Sequence, residues 1–177
     1  MFNNKKLIAI AAVAIDGTIG IDGEIPWYLP EDLKHFRKTT IKKTLVIGFK
    51  TYLALPTQAF EKRNYVIIDK ETDEIIISNN DDGYHFYFYR TIPNLSNIEE
   101  FYIAGGEKIF NEFLPYCDEA IITWVDKKYQ EKTKKFPLTE LFTNFETNEN
   151  PDWKFSESGL RYRIVNYKRK IDDNVSL

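Results

Sequence analysis

Apolar residues in this chain come in short blocks separated by turn-forming residues. Leu7 to Ile15 is apolar throughout, with no alternation of period two. That pattern predicts a strand covered on both faces, as in the middle of a largely parallel sheet. A turn-rich stretch follows, Asp16-Gly17-Thr18-Ile19-Gly20-Ile21-Asp22-Gly23. Pro30 marks the first turn of a short helix, a position that suits a residue without a backbone N–H. Thr44-Leu45-Val46-Ile47-Gly48 predicts a second buried strand, with a short helix from about Lys50. Asn64 to Ile68 predicts a third strand and Ile75 to Ser78 a fourth. Phe101 to Ala104 predicts another, which Gly105-Gly106 turns into a helix from Lys108 to Leu114. Ala120 to Val125 and Tyr162 to Tyr167 complete the sheet and can pair antiparallel. Strands alternating with helices mean a layered α/β domain. No linker, repeat or low-complexity segment divides the chain, so one folding unit over residues 1–177 is expected, with flexible ends at 1–5 and 172–177.

Composition removes several function classes. At 43% hydrophobic and 29% charged, the 177 residues fit a globular domain with a real core rather than a disordered chain. The run from Leu7 to Ile15 is far too short to span a bilayer, so no membrane partner is expected. Lys5 and Lys6 precede it as in a signal peptide, but Asp16 ends it at once and no small-residue cleavage site follows. A net charge of -3 without a basic stripe argues against nucleic acid. A single cysteine, Cys117, allows no internal disulfide and favours a reducing, cytoplasmic setting. His35 and His85 stand apart without companion cysteines, so no metal site is expected.

The most informative chemistry lies in Ile25-Pro26-Trp27-Tyr28-Leu29-Pro30-Glu31-Asp32-Leu33-Lys34-His35-Phe36. Helical spacing puts Asp32 beside Phe36 and between Leu29 and Leu33, while Glu31, Lys34 and Arg37 fall to the other side. An acid on an apolar helix face is costly unless something satisfies it. Local capping is one way, although Glu31 is as well placed for that. The other is a ligand: a carboxylate in an apolar pocket can accept two hydrogen bonds from the amidine-like edge of a flat heterocycle, as it would from an arginine fork.

Two strand-to-helix turns add to this. Gly48-Phe49-Lys50-Thr51 and Gly105-Gly106-Glu107-Lys108 each follow a buried strand. Free backbone N–H groups at such turns attract phosphate, and glycine lets a ligand approach the backbone. Glycine is also common between strand and helix for packing alone. Neither G-x-G-x-x-G nor a Walker motif is present, but two such turns could grip the diphosphate of one dinucleotide.

Together these segments resemble dihydrofolate reductase. Ile8 to Gly20, Pro26-Trp27-Tyr28-Leu29-Pro30-Glu31-Asp32-Leu33-x-x-Phe36, Gly48-x-Lys50-Thr51, Ile103-Ala104-Gly105-Gly106-x-x-Ile109-Phe110 and Ile122-Thr123 come in that family's order and spacing, from Lys6 to about Lys170. The resemblance implies a three-layer α/β fold with an eight-stranded sheet, parallel except for its last strand, and about four helices. It also implies reduction of 7,8-dihydrofolate to tetrahydrofolate with NADPH, by a monomer. Carried onto this chain, Asp32 would bind the pterin 2-amino group and N3 and support protonation of N5, with Thr123 reaching the amino group through water. Ile10 and Ala12 would line the pterin slot, Leu33 and Phe36 would hold the pterin and benzoyl rings, and Leu55 would form the opposite wall. Trp27 would hold an ordered water, and Ile25 would sit in a mobile loop, roughly Asp16 to Pro26, that closes over the nicotinamide. Ala12, Ile19, Gly20, Gly48, Phe49, Lys50, Thr51, Ile68, Asp69 and Lys70 would meet the cofactor, as would Gly105, Gly106, Glu107, Lys108 and Ile109, with a cis peptide between the two glycines.

The chain departs from the family's pattern at several of these positions. Phe49 and Asp69 stand where basic residues or hydroxyls usually meet the cofactor's 2′-phosphate. An acid repels a phosphate and suits an unphosphorylated ribose, so NADH is expected to be tolerated beside NADPH. The arginine that usually clamps the folate glutamate falls on Lys62, with Arg63 next to it, and the spacing leaves both open. Phe110 replaces a common tyrosine and Ala104 a larger aliphatic residue, both near the substrate. Two other readings stand beside the enzyme: a reductase of another pterin-like substrate, and a folate- or nucleotide-binding protein without catalysis.

Overall fold

The computed structural model describes residues 4–71, 76–79, 85–93, 96–129 and 132–171. The expected frayed tail, 172–177, and Ile75 at the start of the expected fourth strand lie outside the described residues. The strands are β1 (Lys6–Ala14), β2 (Thr18–Ile21), β3 (Thr44–Gly48), β4 (Asn64–Ile68), β5 (Ile76–Asn79), β6 (His85–Tyr89), β7 (Glu100–Gly105), β8 (Glu119–Val125), β9 (Thr133–Lys135), β10 (Phe145–Glu146), β11 (Lys154–Phe155) and β12 (Arg161–Arg169). The helices are α1 (Pro30–Thr40), α2 (Phe49–Ala54), α3 (Glu107–Phe113) and α4 (Leu138–Asn144).

Apolar residues at every position of β1 after Lys6 bury it on both sides. Leu7, Ala9 and Val13 join one core layer and Ile8 and Ile10 the other. The first layer continues through Phe110, Phe113 and Leu141, and so holds α3 and α4; the second continues through Phe36, Tyr52 and Leu55, and so holds α1 and α2. The sheet runs β10-β12-β8-β1-β7-β3-β4-β6-β5. Its centre is parallel, with β1 between β7 and β8. Because the chain passes from β7 to β8 across β1, the carboxyl ends of these strands open a crevice of the kind in which α/β sheets bind ligands.

Two expectations need correction. Among the described residues the sheet has ten strands rather than eight, and β12 is not its only antiparallel member, since β5 runs antiparallel to β6, and β10 and β11 to β12. The two-residue strands β10 and β11 are too short to carry a hydrophobic pattern; they exist because β12 offers a hydrogen-bonding edge. β6 is a run of aromatic residues after His85, strand-forming by composition but without alternation. The expected loop from Asp16 to Pro26 is also partly strand, because β2 pairs with β9.

Candidate active site

Asp32 sits in the first turn of α1, behind Pro30. It lines a cavity of about 110 Å³ together with Ile25, Trp27, Tyr28, Leu29 and Leu33. Burial raises its carboxyl above the ordinary range; a hydrogen bond from Thr123 and the nearby His35 pull the other way without cancelling this. Thr123 is 2% exposed near the carboxyl end of β8, so the acid and its hydroxyl partner meet where helix and sheet close on each other. His35, one turn along α1, is itself shifted down by burial, and its Nε2 is buried without a hydrogen-bond partner among the described residues. Glu31, next to Asp32, does not cap the helix. Its carboxylate accepts from the Ser156 hydroxyl at 2.6 Å and from the Glu157 N–H at 2.9 Å, tying the start of α1 to the segment between β11 and β12.

At the other end of α1, Arg63 is buried while Lys62 is exposed with φ 54°. Arg63 Nε donates to Thr40 Oγ1 at 2.8 Å, Nη1 to the Glu61 carbonyl at 2.8 Å and Nη2 to the Arg37 carbonyl at 3.2 Å. Its guanidinium lies 5.9 Å from the centre of the Phe36 ring. Of the five N–H donors of a guanidinium, these bonds leave one on each Nη, the pair that a carboxylate fork requires.

The two glycine turns face each other. A Cβ added to Gly106 would lie 3.4 Å from Thr51 Oγ1, and one added to Gly48 would lie 3.1 Å from the Ile109 side chain. Gly105 has φ +112° and rests on the Phe110 ring, and the Gly105–Gly106 peptide is cis. The gap between the turns is narrow, since a Cβ at Gly106 would already touch Thr51 Oγ1. Around it, Phe49 is exposed and stacks on Tyr52, with ring centres 6.2 Å apart. Lys50 and Lys108 are exposed, and Asp69 Oδ1 at the end of β4 accepts from the Glu71 N–H at 3.1 Å.

The segment after β1 is anchored by its neighbours. Asp16 accepts from the Tyr129 N–H at 2.9 Å and from Lys135 Nζ at 3.2 Å, and Lys135 Nζ also reaches Thr18 Oγ1 at 2.8 Å. The Tyr129 hydroxyl donates to the Pro26 carbonyl at 3.1 Å, and its ring lies 5.9 Å from that of Trp27. Ile25 is 57% exposed and points its bulk at no core. Ile19 is half-buried and Gly20 is buried in β2.

Several expected contact residues are placed elsewhere. Phe110 is 3% exposed and packs on Phe136 with ring centres 4.9 Å apart, so it is core beneath Gly105 and not a wall of the cleft. Ile109 is 5% exposed and packs under Gly48. Lys70 is drawn to Glu112 Oε1 at 2.7 Å and the Arg90 carbonyl at 3.0 Å. Glu107 is engaged by the Lys135 N–H at 2.8 Å and by Lys134 Nζ at 3.3 Å. Ile10, Phe36, Leu55 and Ala104 belong to the core layer on the α1 side of the sheet, Leu33 lines the Asp32 cavity and Ala12 is half-buried on β1, while Ile68 is buried in the other layer. The sequence reading missed Thr40, Glu31 as a tether, and Tyr129. Thr40 had one available signal, a polar residue one turn after Phe36 near the helix end; Tyr129 had none.

Fold and site together define a layered α/β protein with a half-buried acid on one wall of its crevice and two opposed glycine turns on another. The family model for dihydrofolate reductase matches residues 6–169. The chain is 31% identical over 162 residues to the dihydrofolate reductase of Mycobacterium tuberculosis H37Rv, an alignment spanning 90% of this chain and 96% of that one. It is 31% identical over 160 residues to that of Mycoplasma genitalium, spanning 81% and 95%. The fold matches a dihydrofolate reductase from Enterococcus faecalis complexed with NADP(H) and RAB-propyl, with a TM-score of 0.72 and 23% identity over 95% of this chain and 98% of that one. The chain belongs to the dihydrofolate reductase family, oxidoreductases that use NADPH to reduce dihydrofolate.

Proposed function

We propose that the Asp32 cleft holds the pterin of 7,8-dihydrofolate and that Arg63 clamps its glutamate carboxylate. The observation that carries this is the half-buried Asp32 carboxylate, hydrogen-bonded by Thr123, in the wall of an apolar cavity. Its remaining lone pairs suit the pterin 2-amino group and N3. The Thr123 hydroxyl donates its one hydrogen bond to Asp32, so its oxygen is left to accept from a water on the same amino group. Ile10, through its backbone carbonyl, and Ala12, Leu33, Phe36, Leu55 and Ala104 cover the ring faces, and Trp27 orders a water beside them. Asp32, held above its ordinary range by burial, favours a proton at N5 once the pterin excludes solvent.

The turns Gly48–Thr51 and Gly105–Gly106 suit a dinucleotide, because glycine leaves their backbone open to its close approach. NADPH supplies the hydride when bound there. The strand end at Ile68 and Asp69, the Phe49 ring, Lys50 and Lys108 surround the adenosine side, and Ile19, Gly20 and Ile25 cover the nicotinamide side. Arg63 replaces Lys62 as the expected carboxylate partner, since its two remaining N–H groups and its place above Phe36 suit a fork. Lys70 and Phe110 are not assigned contacts, given their engagement with Glu112 and the core. The enzyme works as a cytoplasmic monomer in this reading.

The test is turnover of dihydrofolate, followed as loss of reduced nicotinamide, with NADPH and NADH in parallel. Turnover with NADPH is expected. A folded protein that binds dihydrofolate but turns over with neither cofactor would favour the binding-protein reading.

A further inference from the structure

A second concavity, of about 200 Å³, is lined by Ile15, Trp124, Phe142, Trp153, Arg163 and Tyr167. It lies on the opposite side of the sheet from Asp32. Thr123 faces Asp32, and alternation along β8 turns Trp124 to the other face, where the register sets Arg163 beside it. The walls are aromatic. The Trp124 and Phe142 rings are nearly parallel, at 8° with centres 5.9 Å apart, and Phe142 is 57% exposed at the rim. The Arg163 guanidinium sits 4.7 Å from the centre of the Trp153 ring.

Two donors in this pocket have capacity to spare. Arg163 Nη1 donates to Asn150 Oδ1 at 3.0 Å, but its Nε is buried and has no hydrogen-bond partner among the described residues. Buried donors of this kind are rare because desolvation is not repaid. The Tyr167 oxygen accepts from Trp124 Nε1 at 3.0 Å, which leaves its own proton to give. Burial raises the Tyr167 phenol, so it stays a donor at neutral pH. The carboxylate of Glu149, which also acts on Tyr167, is committed to the backbone and side-chain amides of Asn166 at 2.7–3.1 Å. Asp126 is paired with Arg161.

We propose that this pocket binds a monocyclic aryl carboxylate, its ring against the Trp124 and Phe142 side chains and its carboxylate on the unbonded Nη2 side of the Arg163 guanidinium and on the Tyr167 hydroxyl. The volume supports a single ring, since clefts for drug-sized ligands are larger, about 300–1,000 Å³. A guanidinium and a phenol are both donors, so the polar group must be an acceptor, and the guanidinium charge selects an anion. The assignment does not depend on the reading of the Asp32 cleft.

The test is titration of benzoate into ¹⁵N-labelled protein kept saturated with dihydrofolate. The indole N–H resonances of Trp124 and Trp153 are expected to shift saturably while that of Trp27 stays fixed. Benzyl alcohol, with the ring but no charge, should bind at least tenfold more weakly. Arg163→Gln and Phe142→Ala should each weaken benzoate at least tenfold while dihydrofolate turnover stays at the wild-type rate, which shows that both variants fold. Absence of a saturable shift, shifts confined to Trp27, or unchanged affinity in either variant would overturn the proposal.

Discussion

Replacing Asp32 with asparagine separates chemistry from folding, because the two readouts move in opposite directions. The amide keeps an oxygen that can accept the Thr123 hydroxyl, and its size is unchanged, so the cavity bounded by Trp27, Leu29 and Leu33 has no reason to collapse. It loses the negative charge that, in the proposed function, supports protonation of N5. Removing such acid–base help costs about 10²–10⁴-fold in turnover, roughly 2.7–5.4 kcal/mol of barrier. Stability responds with the other sign. Burial raises the carboxyl of folded Asp32 above its ordinary value of 3.8, so the folded state binds a proton more tightly than the unfolded one. Above the raised value the charge is a cost to folding, and that cost is relieved as pH falls through it towards 3.8. The Asp32→Asn protein should therefore melt at or above the wild-type temperature at pH 7, with the difference closing towards pH 4. Each 1 kcal/mol recovered moves Tm by about 2–4 °C in a domain of this size. Steady-state turnover, with calorimetric melts at pH 7 and near pH 4, measures both. Wild-type turnover would remove Asp32 from the chemistry. A fall of several degrees at pH 7 would show that the carboxylate is a structural partner and that any lost activity reflects a damaged fold.

The carboxylate clamp is tested by Arg63→Leu, which should raise the KM for dihydrofolate about 10–100-fold, as expected for losing hydrogen bonds to a charged group worth roughly 1.5–3 kcal/mol, whereas Lys62→Ala should leave KM within about twofold; the reverse pattern would return the role to Lys62. Phe49 and Asp69 at the adenosine side should hold the NADPH:NADH ratio of kcat/KM below about 100-fold, and Asp69→Ser should move it towards NADPH with the pterin KM unchanged. For Asp16, burial pulls the carboxyl up, but hydrogen bonds from the Tyr129 N–H, Thr18 and Lys135 outweigh it and hold the group down to about 2. Its contribution to stability is present above about pH 4 and lost as pH falls towards 2. Asp16→Asn should accordingly lower Tm at pH 7, with the two melting curves converging near pH 2; parallel curves would count against the network.

How much of this was legible in the chain depends on how far each determinant reaches. The run Leu7 to Ile15 announces a doubly buried strand because burial on both faces is written into every consecutive residue. Asp32 stood out because helical spacing alone puts it with Leu29, Leu33 and Phe36. Both are local patterns, and the folded chain keeps them. The choice between Lys62 and Arg63 is different in kind. It turns on a positive φ at Lys62 and on Thr40, 23 residues earlier, accepting from Arg63 Nε. Lys70 likewise goes to Glu112 across 42 residues, and Phe110 leaves the cleft because Gly105 and Phe136 close over its ring. The pairing of Arg163 with Trp124 exists only through the antiparallel register of β12 on β8. Periodicity and residue chemistry declare which side chains can do a task. Where each one points is decided by backbone dihedrals and by partners far along the chain, whose positions arise only when the sheet assembles.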